Sequence, residues 1–170
     1  ELDKHFDSFI SAIDQPSIDG FNSFIITQGA RKLGMKVAFS GLGADEIFGG
    51  YPHMLMGSLA QANHARQIRL NMLNKDKRQR LTAERLEQAG ITNDNDKADQ
   101  AMCSQLELSG YLQDTLLRDA DATTMAQGLE LRVPYLDQDL VKTAMTIPQT
   151  LHQAEGSKTL LKRIAEAEMM

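Results

Sequence analysis

The sequence is short of several things, and each shortage excludes a class of protein. A single cysteine, Cys103, among 170 residues rules out an intramolecular disulfide framework and fits a reducing compartment. Basic residues are outnumbered, 18 Lys+Arg against 23 Asp+Glu, for a formal charge of -5. A nucleic-acid binder normally carries the opposite excess. No apolar run approaches the roughly 18 residues a membrane span needs, and no signal-peptide pattern opens the chain. His5, His53, His64 and His152 show no HxxxH or carboxylate spacing, which argues against a zinc site. What remains, 42% apolar and 24% charged residues, is ordinary globular usage that can form a core. The expectation is one soluble, cytoplasmic domain or part of one. The chain begins at Glu1 rather than Met and runs at once into a patterned segment. A trimmed N-terminus or a piece of a longer polypeptide is therefore expected.

Residues 3–13 carry apolar side chains at three- and four-residue spacing, the pattern of an amphipathic helix. Asp14 to Gly20 breaks it, because Pro16 cannot donate to a helix and pushes Gln15 toward extended geometry. The pattern predicts a second helix over 21–33, stopped by Gly34. A short strand follows over 36–40, which makes one α/β unit. Helices are predicted over 54–73, 75–89, 97–118, 137–146 and 158–168, with a polar capping loop at 92–96 and a break at 131–135. Cys103 reads as a small buried hydrophobe, and the basic run 75–80 as a solvated helix face.

The segment Ser40-Gly41-Leu42-Gly43-Ala44-Asp45-Glu46-Ile47-Phe48-Gly49-Gly50-Tyr51 carries the most chemistry. A strand running into glycines and then a helix points free N–H groups and a positive dipole end at a possible anion. Gly41 and Gly43 would let a phosphate approach the backbone. Glu46 stands where a dinucleotide fingerprint needs its third glycine, and no Gly-Lys-Ser/Thr follows, so neither that motif nor a P-loop is present. Asp45 beside a phosphate is repulsive unless a divalent cation lies between them, and Mg²⁺ is commonly held by one or two carboxylates plus phosphate oxygens. The residues alone leave a second reading open: a helix start stabilised by two acidic side chains, its glycines serving only the turn.

This segment resembles the SGxGxDExFGGY signature of the ATP-dependent synthetase domain of the asparagine synthetase family. Three further stretches agree in order: Asp14 to Gly20; Leu129 to Asp137, similar to the family's LExRVPFLD; and Ser157 to Arg163, similar to its Ser/Thr-Lys helix. The resemblance covers nearly the whole chain. It implies a mostly helical α/β fold, the C-terminal portion of an adenine-nucleotide alpha-hydrolase-like (ATP pyrophosphatase) domain with few parallel strands. It implies that residues 1–170 are a partial synthetase domain of an amidotransferase, dependent on ATP and Mg²⁺. Carried over by position, Ser40 and Gly41 would contact the adenylate, Asp45 would hold Mg²⁺ and pyrophosphate, and Lys158 would act in catalysis by stabilising phosphate charge. A lysine ammonium offers three donors to developing negative charge. Lys158 also falls in a predicted first helical turn, where the dipole disfavours a cation unless an anion is near.

Departures from the family pattern shape the functional expectation. The family's SGGxDSS nucleotide loop and the N-terminal cysteine of its glutaminase half are not found here. The isolated chain is therefore expected to bind ATP poorly, not to hydrolyse glutamine, and to show little activity. Leu42 stands where asparagine synthetases carry Glu and β-lactam synthetases carry Tyr, and a leucine cannot take a proton from an attacking amine. The partners implied are a carboxylate substrate and ammonia or an amine, with the missing half of the domain or a second copy covering exposed surface; no nucleic acid and no membrane is expected. The alternative is a non-catalytic helical interaction module derived from such an enzyme. Glu130 and Arg132 fall on one face if extended and could pair, with Val133 and Tyr135 inward. Glu107 reads as an exposed helical glutamate that could otherwise line the acceptor site.

Overall fold

The computed structural model describes residues 2–55, 100–152 and 156–169. Most of the helices expected over 54–73 and 75–89, the loop at 92–96 and the basic run at 75–80 lie outside the described residues.

Helix α1 (Leu2–Ala12) and helix α2 (Gly20–Lys32) flank the Pro16 break as their spacing predicts. They meet through phenylalanines: the Phe9 ring lies 5.2 Å from Phe21 and 5.9 Å from Phe24, both edge-on, a geometry favoured by the ring quadrupole. Phe9 and Phe24 are buried, whereas Phe6 and Ile10 on the same amphipathic helix stay exposed. Gly34, at φ 81°, reverses the chain after α2. Strand β1 (Val37–Phe39) follows.

Helix α3 (Ala44–Phe48) and the single turn α4 (Pro52–Leu55) come next. One long helical run then extends from Gln100 to Ala126, eight residues beyond the predicted end at 118. It consists of α5 (Gln100–Glu107), a π-helical stretch (Leu108–Leu116) and α6 (Leu117–Ala126). Gly128, at φ 67°, ends the run, and strand β2 (Glu130–Arg132) begins two residues later. The strand ends within the break expected at 131–135: Pro134 fixes its own φ and opens a 3₁₀ turn, Pro134–Leu136. Asp137 caps α7 (Gln138–Thr146), its carboxylate accepting from the N–H groups of Asp139 at 3.0 Å and Leu140 at 3.1 Å. Two more helices follow, α8 (Gln149–His152) and α9 (Thr159–Glu168).

The two strands pair in parallel, with Val37 opposite Glu130, Ala38 opposite Leu131 and Phe39 opposite Arg132. Bonds from Glu130 N–H to the Lys36 carbonyl and from Ser40 N–H to the Arg132 carbonyl, both 2.8 Å, extend the ladder. A parallel pair needs a long crossover, supplied here by the helices between residues 40 and 129. The described molecule is thus mostly helical with a small parallel sheet, as the α/β expectation required. The core nearest the strand exit is built on α3: Ala44, Ile47 and Phe48 pack with Ala144, and Tyr135, Leu136, Leu140 and Leu160 close around them. Buried His152 ties α8 to α7 through Nε2 and the Ala144 carbonyl, 3.1 Å apart, and its ring lies 6.2 Å from Phe48.

Candidate functional site

The signature segment leaves β1 as expected, but fewer of its amide groups point at open space than the sequence suggests. Ser40 N–H continues the strand ladder, Leu42 N–H donates to Ser40 Oγ at 3.2 Å, and Ala44 N–H donates to the Gly41 carbonyl at 3.1 Å. The amides of Gly41, Gly43 and Asp45 make no such bond among the described residues. The reason is local: a five-residue helix entered through a tight bend spends several donors on the bend itself.

The glycines also divide. Gly43 sits at φ 93°, and a Cβ there would lie 2.9 Å from Leu136 Cγ, so glycine is required by conformation and by packing alike. Gly41 has no left-handed φ, and nothing lies within 4 Å of where its Cβ would be. The chain's own packing gives no reason for glycine at position 41.

The fold brings two sequence-predicted residues, from opposite ends of the chain, into contact. Lys158 Nζ lies 2.7 Å from Asp45 Oδ1, with the side chains 31% and 40% exposed. Both remain open to solvent and to a ligand. Lys158 does not sit in the first turn of α9, as predicted, but just ahead of it, at φ 55° and ψ 30°. Gly156 at φ 103° and the bond from Thr159 Oγ1 to the Gly156 carbonyl, 2.9 Å, shape that bend. Helix α9 then starts on the Lys158 carbonyl, which accepts from Lys162 N–H at 3.0 Å. Ser40 and Gly41 stand at the mouth of the strand, before the bend that carries Asp45.

Behind Asp45 lies a buried acidic group that the sequence reading missed. Glu46 is 1% exposed and accepts from Tyr51 Oη at 2.7 Å. Burial pushes the Glu46 carboxyl above the ordinary carboxylate range; the Tyr51 bond and its own backbone N–H oppose this, and neighbouring Asp45 and Glu107 add to it. Burial, then the bond to Glu46, pushes the Tyr51 hydroxyl upward as well. Glu107, expected on an exposed helix face, is instead 7% exposed. Helix α5 packs against α3, and this contact turns the Glu107 face inward. The available signal was Glu46 and Tyr51 flanking a Gly-Gly turn, a spacing that folds one back onto the other. Glu130 and Arg132 pair as predicted, Nε to Oε1 at 2.8 Å, with both side chains exposed.

Among the described residues no cluster of three or more His, Cys, Asp or Glu could hold a metal. A self-contained metal cage does not fit. Asp45, one accessible carboxylate beside the Lys158 ammonium, does fit a cation shared with phosphate oxygens. Among the described residues no helix is long and apolar enough to cross a membrane.

A glycine bend leaving a parallel strand, with an exposed acid and a lysine converging on it, is an arrangement suited to a phosphate-bearing substrate. The asparagine synthase family model matches residues 1–169, and the chain belongs to that family. It is 28% identical over 162 residues to a putative glutamine-hydrolysing asparagine synthetase of Methanocaldococcus jannaschii, covering 92% of this chain and 23% of that protein. An asparagine synthetase of Arabidopsis thaliana is 30% identical over 125 residues, covering 73% and 15% respectively. One from Bacillus subtilis is 39% identical over 62 residues, covering 36% and 10%. The chain thus spans less than a quarter of the length of these curated relatives. No solved structure matches it.

Proposed function

We propose that this chain supplies part of the catalytic site of an ATP-dependent, amide-forming ligase of the glutamine-hydrolysing asparagine synthase type. In the complete reaction a carboxylate oxygen attacks the α-phosphorus of ATP and pyrophosphate leaves. Ammonia or an amine then attacks the acyl carbon, loses a proton, and AMP departs. Ser40 and Gly41 would hold the adenylate at the strand mouth, Asp45 would hold Mg²⁺ with its pyrophosphate, and Lys158 would neutralise charge on the phosphate. Bound Mg²⁺ would supply charge neutralisation between the Asp45 carboxylate and the phosphate oxygens.

The observation that carries this reading is the Asp45–Lys158 pair, its acid on the helix that the bend over residues 40–43 leads into. A carboxylate suited to a cation and an ammonium suited to an anion meet 2.7 Å apart, and the bend ahead of Asp45 carries at position 41 a glycine that no neighbour requires. The small parallel sheet belongs, in this reading, to an ATP pyrophosphatase-type domain, which acts in the cytoplasm. The acceptor is a carboxylate whose amine partner gives its proton to a group other than Leu42.

Ile26 on α2, Leu33 and Met35 in the connection to β1, and Phe39 on β1 are all exposed. In a complete protein, further length such as the relatives possess would cover these side chains; in the isolated chain a second copy is the other candidate cover. The same exposure favours one alternative, a helical interaction module that keeps the fold without catalysis. Calorimetric titration with magnesium pyrophosphate and AMP separates the two. Binding that disappears in Asp45→Ala supports the ligase site; a silent titration of a folded chain supports the module. For the dimer, light scattering showing a clean monomer contradicts coverage by a second copy.

A further inference from the structure

Two consecutive glycines close the signature turn, and they are glycine for different reasons. Gly49 follows α3 at φ 68° and ψ 52°, a left-handed cap that disfavours other residues. Gly50 is not among the left-handed glycines, so no positive φ calls for glycine there. What position 50 lacks is room. A Cβ there would lie 2.6 Å from Asp45 Cγ and 2.7 Å from Lys158 Cε, and it would overlap Asp45 Oδ1 as well. The two charged side chains therefore lie directly over the bare Gly50 backbone. Gly50 N–H donates to the Asp45 carbonyl at 2.8 Å, which draws the turn back beneath the Asp45 side chain. Lys158 reaches the same spot from a backbone conformation that non-glycine residues avoid; it is the one such residue among those described.

We infer that Gly50 is a positioning residue: its missing side chain is the seat in which the Asp45–Lys158 ion pair is held. The seat rests on geometry alone. Its consequence for ligand binding, that it fixes where the two opposite charges meet a diphosphate, rests on the function proposed above. The three nearest atoms a methyl at position 50 would meet belong to side chains that can rotate away, those of Asp45 and Lys158, and none to the backbone. Gly50→Ala therefore displaces the pair while the turn itself survives.

The test is amine-reactive labelling of Lys158, followed by mass spectrometry, in the parent chain, Gly50→Ala, Asp45→Ala and the double variant. In the parent, the ion pair to Asp45 engages the partly exposed ammonium, and labelling is slower than in Asp45→Ala. Gly50→Ala is expected to label at the faster rate of Asp45→Ala, with no further gain in the double variant. Parent-like labelling of Gly50→Ala, or additive effects in the double variant, overturns the inference. If Gly50→Ala does not fold, recovery of folding when Asp45→Ala is added supports the seat, and a double variant that stays unfolded contradicts it. A magnesium pyrophosphate titration of the same proteins keeps the two readings distinct. The expected labelling pattern without pyrophosphate binding to the parent leaves the seat standing and removes the ligase site. Asp45-dependent pyrophosphate binding with unchanged labelling in Gly50→Ala removes the seat alone.

Discussion

Phe39 and Phe48 stand on either side of the same glycine bend and meet opposite environments. Phe48 is buried against Tyr135, their rings edge-on at 6.1 Å, within the core that α3 shares with α7 and α9. Phe39, on β1, is 73% exposed. The helical side of the site closes its own core. The sheet side does not, because a parallel pair of three-residue strands has two faces to cover and the described helices leave much of β1 open. The difference teaches where the site is self-supporting: Asp45 and Lys158 are held by the helical side, while Ser40 and Gly41 sit at the margin of the open one.

The strongest way to break this contrast is to truncate both rings and measure urea denaturation. Phe48→Ala should cost about 3–5 kcal/mol by leaving a cavity, whereas Phe39→Ala should stay within about 0.5 kcal/mol. Equal losses would mean that the strand face is covered in solution. Next in size is Tyr51→Phe, which deprives buried Glu46 of its side-chain donor and should cost about 1–3 kcal/mol in the same assay.

The pH dependence sharpens the same point. Because its pKa is raised on folding, Glu46 holds a proton more tightly in the native state than in the unfolded chain. Its contribution is therefore full below the ordinary carboxylate pKa and is lost as pH rises through the raised native value. Glu46→Gln removes that loss, so its stability relative to the parent should grow from acid toward neutral pH. A constant difference across the range would show that Glu46 is not shifted. The smallest effect is expected at the sheet: Arg132→Ala breaks an exposed pair with Glu130, and the change should not exceed about 1 kcal/mol. A larger loss would mark Arg132 as part of a covered surface.

The order of elements was largely legible, because Pro16, Gly34 and the apolar spacing of residues 3–13 are local signals that local structure obeys. The helical run to Ala126 was not: Thr123 and Thr124 weaken helix propensity, yet both are buried with hydroxyls bonded back to helix carbonyls. Of the site, the chemistry of the glycine bend named Asp45 and the order of motifs named Lys158, but their contact spans most of the chain and no periodicity encodes it. Glu46 and Glu107 eluded the reading because burial of an acid is decided by tertiary packing, here of α5 on α3. Gly50 carried no signal beyond being the second of two glycines, since what excludes a side chain there is a lysine far along the sequence.

The central claim is that the bend over residues 40–45 and Lys158 together receive a magnesium-bound diphosphate. Crystals soaked with magnesium and pyrophosphate test it most directly. The account predicts diphosphate density beside Gly41, a cation on the Asp45 carboxylate, and Lys158 Nζ moved from Asp45 onto a phosphate oxygen. A soaked crystal with pyrophosphate bound elsewhere, or not at all, and Lys158 still on Asp45 would contradict it.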